Sequence, residues 1–502
     1  LDDGWYIQLS NILLYDQPVL IRQILLMLAL GSSVIGGANN ATSRKIHFKL
    51  SGGEGAYALS SKVEVSQPYY SERNFGDRTI EIIENTHTKI FNISAAYDGQ
   101  VLDSKWIKFH YPRSEDLFVE PGRIHEITFP PDVKRGDTIS YVYEQTFEDP
   151  SFFPLIYIPA VNVLARYEVI VDHPPDISVD FDFFYTRETL SPLVERNSPT
   201  RTTVVFQDLS GSRSLPVDPF PWLHAVMLTK LTRAGQPINP FTPAAFAEWY
   251  LGLLKSTSTP SQAMTDLLAE HIQGAKSHRE KARILFDYVK SNIRYIADEG
   301  RGHAFVPHPC AEVLEKKWGD CKDKARLLTV LASIHGVPLH LALVNTKPSP
   351  DFESVNIGLF NHVICVLEDD GELIFMDPTA SHSEMGDPPD AVLLMKALLL
   401  DEQSPRYVRV PNNRKTPDLE IAIESRPSSA KKSKAKLIMR HTWRMDTLHA
   451  RKMLNQREFE TYLINRFEQI LPKLAFANVQ LTNESRDQLV LEADADLSGF
   501  FI

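Results

Sequence analysis

Chemistry is concentrated in one stretch, Trp318-Gly319-Asp320-Cys321-Lys322-Asp323-Lys324-Ala325. Gly319 marks the end of a loop, and Asp320 is of the type that caps a helix. Cys321 then takes the first helical position, facing the positive end of the helix dipole. Lys322 and Lys324 add positive charge nearby, and both effects favour the nucleophilic thiolate. Asp320 and Asp323 oppose them. A single cysteine at a helix start is more often a small, inert core residue. Partners elsewhere in the chain have to decide between the two readings.

The partners lie downstream. Asn361-His362-Val363-Ile364-Cys365-Val366-Leu367 precedes Glu368-Asp369-Asp370-Gly371 and then Glu372-Leu373-Ile374-Phe375-Met376-Asp377. This pattern predicts a β-hairpin with an acidic-glycine turn. If Asp369 and Asp370 form the turn, His362 lies directly across from Asp377. If Asp370 and Gly371 form it, Asp377 pairs with Ile364, and His362 is its diagonal neighbour on the same face. Only a loop of odd length separates the two onto opposite faces. A carboxylate beside an imidazole fixes its tautomer, and such an imidazole can take a thiol proton and return it to a leaving amine. Contact between Cys321 and His362 has to come from packing the helix on the sheet.

The remaining candidates read more plainly. Cys310, in Pro307-His308-Pro309-Cys310, reads as a loop thiol. Cys365 points away from the His362 face and reads as core. His303, His308 and Cys310 fit no standard zinc spacing, so no metal is expected. Trp318 is a candidate wall or oxyanion neighbour of the site, with packing beneath the loop as the alternative. The Cys321 backbone N–H is the expected oxyanion donor, and Tyr295 is expected to pack.

Helices and strands must hold these groups. Helical spacing of apolar residues marks Phe241–Leu254, Pro260–Gln273 and Ser277–Ser291. The last opens with Ser277 and Glu280 in a capping-box pattern. A further helix runs from Asp320 to the stop at Gly336, followed by β-like stretches over 337–344, 362–367 and 372–376. Earlier, residues 60–210 read as short strands separated by turn signals such as Asp98-Gly99 and Pro174-Pro175. The stretch from Ser210 to Pro221 reads as a linker, and residues 426–437 as a basic, solvated joint. A helix is expected over about 446–471.

Length and balance set the frame. The 502 residues suggest about three domains. With 53 basic and 64 acidic residues, the net charge of -11 argues against a nucleic-acid binder. Three cysteines cannot build a disulfide scaffold. Arg22, the apolar run Ile24–Leu30 and the small residues up to Ala38 predict a leader over residues 1–41, hence export to the periplasm or another envelope space. No later segment is long and apolar enough to span a membrane, so the mature chain is expected to carry no span. The apolar end Gly499-Phe500-Phe501-Ile502 predicts an incomplete final domain.

Residues 281–380 resemble the transglutaminase-like core, a papain-type thiol fold. The matching pieces are Ile293-Arg294-Tyr295, Pro307–Leu314, Gly319-Asp320-Cys321-Lys322-Asp323, Leu327–Gly336, Asn361-His362-Val363 and Asp377-Pro378-Thr379. The resemblance implies Cys321 as nucleophile, His362 as general base and acid, and Asp377 as the orienting carboxylate. Residues 60–230 are similar to a β-rich domain of unknown function that precedes such cores in bacterial envelope proteins. Residues after about 430 look like the β domain that often follows them. The expected fold class is therefore multi-domain α+β: an antiparallel β-sandwich over 60–230, a catalytic core over 241–400 and a mainly β domain over 430–502. The expected function is cysteine-dependent acyl transfer on a peptide or protein substrate, needing no cofactor. The rival is a non-catalytic envelope binding protein that keeps the fold.

Overall fold

Alternation of buried and solvent-facing positions builds the amino-terminal half. In β1 (Thr42–Gly53), Ile46, Phe48 and Leu50 are buried while Lys45, His47 and Lys49 are not. That period of two is the mark of a strand with one covered face. The computed structural model describes residues 5–7, 42–53, 56–69, 79–84, 87–111, 123–134, 136–159, 164–185, 192–207, 223–267, 269–298, 304–380, 383–414, 419–424, 433–440, 447, 450–451, 454–470, 475–485 and 488–496. These residues divide into two units: Gln17–Ile374 with Met395–Arg409, and Leu1–Asp16 with Phe375–Leu394 and Val410–Ile502.

In the first unit, β1 is followed by β2 (Ala56–Pro68), β3 (Thr138–Phe147), β4 (Leu164–Asp172), β5 (Ile177–Tyr185), β6 (Arg201–Gln207) and β7 (Leu223–Arg233). An eight-stranded sheet has the central order β6-β4-β1-β2-β3, with Leu193–Ser198 beyond β6 and Thr88–Tyr97 and Gln100–Val101 beyond β3. Its pairs are antiparallel except β4 with β1, which run parallel. The expected antiparallel sandwich thus carries one parallel pair. Two smaller sheets complete this half: Ile156–Pro159, β7 and β5 in one, and Thr79–Ile83, Ile124–Thr128 and Ile107–His110 in the other. One apolar cluster joins Phe48, Val63, Val169 and Phe206 of the large sheet to Ile158, Val179 and Met227 of the first small one. A second gathers Ile82 and Ile127 with Ile90, Ala95 and Ile139. Each such fully buried side chain contributes roughly 1.5–3 kcal/mol relative to an exposed one.

The period then changes to that of helices. The core contains α1 (Pro243–Leu254), α2 (His278–Asn292), α3 (Cys310–Lys316) and α4 (Cys321–Ile334), with short helices Gln262–Asp266 and Ala269–Gln273 between α1 and α2. Ala282, Leu285, Phe286 and Val289 of α2 are buried. The Ser277 hydroxyl caps α2 through the Glu280 N–H, but the Glu280 carboxylate accepts from the Lys276 N–H at 2.5 Å, one residue before the expected box partner. The strands β8 (Leu339–Val344), β9 (His362–Asp369), β10 (Glu372–Met376), β11 (Lys396–Leu400) and β12 (Arg406–Arg409) form a sheet in the order β10-β9-β8-β11-β12. Both Asp370 (φ 50°) and Gly371 (φ 78°) are left-handed, as a two-residue type I′ hairpin turn requires. Of the two turns weighed from sequence, this is the Asp370-Gly371 one.

The β-rich half packs directly on this core. Leu155, Val226 and Leu228 share a buried cluster with Phe352 and Leu359, and Asn356 Nδ2 donates to the Phe153 carbonyl at 2.9 Å.

The second unit has a five-stranded sheet in the order Trp5–Ile7, Leu419–Glu424, Ser433–Met439, Leu489–Asp496 and Ala475–Glu484. Its helix, Gln456–Ile470, buries Phe459, Leu463 and Phe467 against that sheet. Of the segment read as a leader, Trp5–Ile7 is described as this edge strand; the rest lies outside the described residues, as does the stretch read as a linker. Among the described residues no helix is long and apolar enough to cross a membrane.

Candidate functional site

The Cys321 stretch folds as its residue types demand. Asp320 is the N-cap of α4, and its Oδ1 accepts from the N–H groups of Lys322 at 3.1 Å and Asp323 at 3.3 Å. Asp323 closes the capping box by accepting the Asp320 N–H at 3.0 Å. Together they satisfy donors that a helix start otherwise leaves unpaired. Gly319 must lack a side chain, because a Cβ there would lie 2.6 Å from the Asp323 Cβ. Cys321 is the first residue of α4 and is half-buried.

The two lysines expected to add positive charge near the thiol are both buried. Lys322 is buried, ion-paired to Asp320, and donates to the Asp298 carbonyl at 3.1 Å. Burial works against its charge, but Asp320 and neighbouring Cys321 outweigh that and raise its pKa. Lys324 is buried and donates to the Ile293 carbonyl at 2.6 Å.

Asp323 also reaches His308, a residue that sequence reasoning set aside. It accepts the His308 backbone N–H at 2.7 Å, and its Oδ2 lies 3.2 Å from His308 Nδ1. On the other side of the ring, Nε2 lies 3.4 Å from Asp298 Oδ2. The Asp323 hydrogen bond raises the His308 pKa against the opposing effect of burial. Burial alone would raise Asp323, but His308 and Lys322 hold it below the usual carboxylate range. Trp318 is half-buried and meets His308 edge-on at 5.4 Å, so it walls this buried ion pair.

Tyr250 of α1 is a second residue that sequence reasoning missed. It is buried, and its hydroxyl donates to the Phe305 carbonyl at 3.0 Å. Burial pushes its pKa up, and the nearby carboxylate of Asp320 adds to that. No motif marks it, because its place depends on how α1 packs. Behind it, His87 stacks on Phe152 at 4.0 Å and on Phe305 at 5.1 Å. The β-rich half therefore touches Phe305, whose carbonyl holds the Tyr250 hydroxyl. Tyr295, expected to pack, is 47% exposed.

His362 opens β9, is half-buried, and is paired with Val344 at the end of β8. Because α4 leads through Gly336 into the returning strand β8, the Cys321 end of α4 lies at the Val344 end of the sheet. One turn into α4, the Ala325 carbonyl contacts Cys365 Sγ at 3.5 Å, and Cys365 is three residues beyond His362. Rings connect the same corner: Tyr250 stacks on Phe246 at 5.9 Å, and Phe246 lies 6.0 Å from Phe360. Asp377 falls in the second unit, is buried, and accepts at Oδ1 from the Thr379 N–H at 2.9 Å and hydroxyl at 2.6 Å.

Cys310 is not a loop thiol. It begins α3, is buried, and burial pushes its pKa up to about 12. Cys365 is buried in the sheet. Among the described residues, one group of side chains could converge on a metal ion: His340, Glu368 and Asp401. The Arg406 guanidinium already lies 3.1 Å from Glu368 and 3.5 Å from Asp401, which supplies the positive charge there.

A cysteine opening a helix that packs on an antiparallel sheet, with a histidine opening one of its strands, is the arrangement of papain-like thiol folds. Residues 265–378 match the core of the transglutaminase-like superfamily, and this stretch is a transglutaminase-like domain. A solved structure from Parabacteroides distasonis, described as "a putative protease", is similar at 12% identity and a TM-score of 0.51, over 91% of this chain and 93% of that one. One from Cytophaga hutchinsonii, described as "a putative cysteine protease", aligns over 64% of this chain and 77% of that one, at 12% identity and a TM-score of 0.21. No curated protein matches the chain.

Proposed function

We propose that the protein is a cysteine-dependent acyl-transfer enzyme acting on amide bonds of peptides or proteins, with Cys321 as nucleophile, His362 as general base and acid, and Asp377 as the carboxylate that orients the imidazole. The observation that carries this reading is the half-buried Cys321 thiol at the start of α4, at the sheet end where β9 begins with His362. The turn at Asp370-Gly371 is a two-residue one, as the proposed partnership of His362 and Asp377 needs. Regular alternation sends Cys365, which touches α4, to the face opposite His362. The thiol and imidazole therefore have to meet beyond the end of the sheet.

In the first step the imidazole takes the thiol proton and the Cys321 sulfur bonds to the carbonyl carbon. The negative charge on the oxygen falls beside the Cys321 backbone N–H, a donor at the helix start. The C–N bond breaks, the amine leaves with the proton from the imidazole, and a thioester remains. Water or a second amine then attacks the thioester and restores the thiol. Water gives hydrolysis and an amine gives transamidation. An exported location, expected from the amino-terminal apolar run, would expose the site to envelope peptides and proteins.

Intact-mass trapping on the full chain offered mixed peptides tests this. The expected result is an acyl adduct on the wild type that maps to Cys321 and is absent from Cys321→Ala. Absence of any adduct, with Cys321 labelled by iodoacetamide no faster than Cys310 and Cys365, would favour a binding protein that keeps only the fold.

A further inference from the structure

A half-buried arginine in the β-rich half has no carboxylate partner among the described residues. Across the inner face of the large sheet, one row of paired residues reads Phe206 (β6), Tyr167 (β4), Arg44 (β1), Val65 (β2) and Tyr141 (β3). Arg44 is the charged member of that row. Its guanidinium lies 5.7 Å from the centre of the Tyr167 ring, and Tyr143 and Tyr141 are among the groups whose fields act on it. No carboxylate pairs with it among the described residues, and Nε is shut off from solvent without a hydrogen-bond partner. The neighbouring acids Glu64 and Glu168 alternate onto the outer face, where they pair with Lys62 and Arg166.

A guanidinium keeps its charge in any protein environment. Cutting its Nε off from water without a partner is costly. Stacking on Tyr167 uses the face of the group and leaves its N–H edge free to donate. Burial keeps the Tyr141, Tyr143 and Tyr167 phenols protonated, with Tyr141 pushed up to about 12. The Arg44 guanidinium and the three phenols can therefore all donate, which is the donor set for an anion. Tyr141 and Tyr143 are half-buried and border both apolar clusters, so Arg44 lies at the seam between the two small sheets. One positive charge flanked by Val65, Phe206 and three aromatic rings suits a monoanion with an apolar body.

We propose that Arg44, with the hydroxyls of Tyr141 and Tyr143, forms a binding site for an organic carboxylate in the β-rich half. The planar fork of the guanidinium matches the two carboxylate oxygens. The site is separate from the Cys321 chemistry and stands or falls without it.

The test uses the full chain at constant ionic strength and compares benzoate with benzamide, its uncharged analogue, by titration calorimetry and thermal unfolding. Benzoate is expected to bind saturably and raise the unfolding midpoint, as a ligand of the native state alone must, while benzamide leaves it unchanged. Arg44→Met is expected to weaken benzoate at least tenfold. Tyr143→Phe, which keeps the charge, is expected to weaken it roughly three- to tenfold through one lost hydrogen bond. Should Arg44→Met fail to fold, the benzoate–benzamide contrast and Tyr143→Phe still decide. Equal responses to the two compounds, or undiminished benzoate binding in the folded variants, would overturn the proposal. N-acetyl-alanyl-phenylalanine against its carboxamide separates the sources: tighter binding than benzoate identifies a peptide terminus, and weaker binding a free small acid.

Discussion

Two consecutive helices each open on a cysteine, and the two sulfurs have different fates. Cys310 begins α3 behind Pro309, which offers no side-chain cap, and it is buried. Cys321 begins α4 behind the doubly bonded Asp320 and is half-buried. Both face the positive end of a helix dipole. Yet burial pushes the Cys310 thiol up to about 12, so the dipole does not by itself make a nucleophile. Desolvation of a thiolate outweighs a dipole term worth about 0.3–1 kcal/mol. What sets Cys321 apart is access, together with a helix start held by the Asp320–Asp323 box.

The largest expected effect breaks or confirms that contrast directly. Iodoacetamide should alkylate Cys321 on the order of 100-fold faster than Cys310 or Cys365, since Cys321 is half-buried while the other two are buried and burial raises the pKa of the Cys310 thiol. Peptide mapping by mass spectrometry over time measures the three rates. His362→Ala should slow the Cys321 rate alone. Comparable rates at Cys310 and Cys321 would end the distinction.

The cap is the second half of the comparison. Asp323→Ala removes the capping-box carboxylate and leaves His308 beside Asp298 alone. Removing one partner of a buried ion pair costs roughly 3–5 kcal/mol, and urea unfolding should show that loss. The matching position of α3 is Glu312, whose exposed carboxylate pairs with Lys316. Glu312→Ala should cost no more than about 0.5 kcal/mol. Equal losses at the two positions would mean that the two helix starts are held alike. Gly319→Ala comes next. It drives a methyl group against the Asp323 Cβ, 2.6 Å away, and should cost roughly 1–3 kcal/mol as overpacking does. A folded variant with unchanged stability would show that Asp323 can shift at no cost.

These residues also show how far sequence reasoning reaches. Asp320, Cys321 and the stop at Gly336 were readable because capping and helix termination are local. The Asp370-Gly371 turn was readable as one of two choices, since dihedral preferences are local too. The positive charge of Lys322 and Lys324 is legible in the sequence, but their burial is not. Positive charge in sequence says nothing about whether an ammonium faces solvent or a buried carbonyl such as that of Ile293. Cys310 reads as a loop thiol because Pro307 and Pro309 precede it and Pro309 is not a favoured N-cap type. His308 and Tyr250 could not be found. Their roles come from contacts 15 residues away for His308 with Asp323 and 55 residues away for Tyr250 with Phe305, and no periodicity encodes such contacts. The Arg44 row needed the pairing of five strands that are scattered between residues 42 and 207.

The smallest effect separates the two helix starts by pH. In the unfolded chain a histidine titrates near about 6.5. In the folded chain Asp323 raises the His308 pKa. Below the unfolded pKa the ring is protonated in both states, and the ion pair contributes fully to stability. As pH rises through the raised folded pKa, the proton leaves the folded state and the contribution is lost. Asp323 is held below the usual carboxylate range, so mild acid leaves its charge in place. The stability difference between the wild type and His308→Gln, on the order of 1 kcal/mol for a charged hydrogen bond, should be greatest near pH 6 and shrink as the pH rises above neutrality. Urea unfolding at a series of pH values measures it. Glu312→Ala at the start of α3 should show a much weaker trend, because Glu312 pairs with Lys316 and raises the His308 pKa less than Asp323 and Asp298 do. A His308→Gln difference that stays flat, or that grows with pH, would mean that Asp323 holds the start of α4 without a charged imidazole.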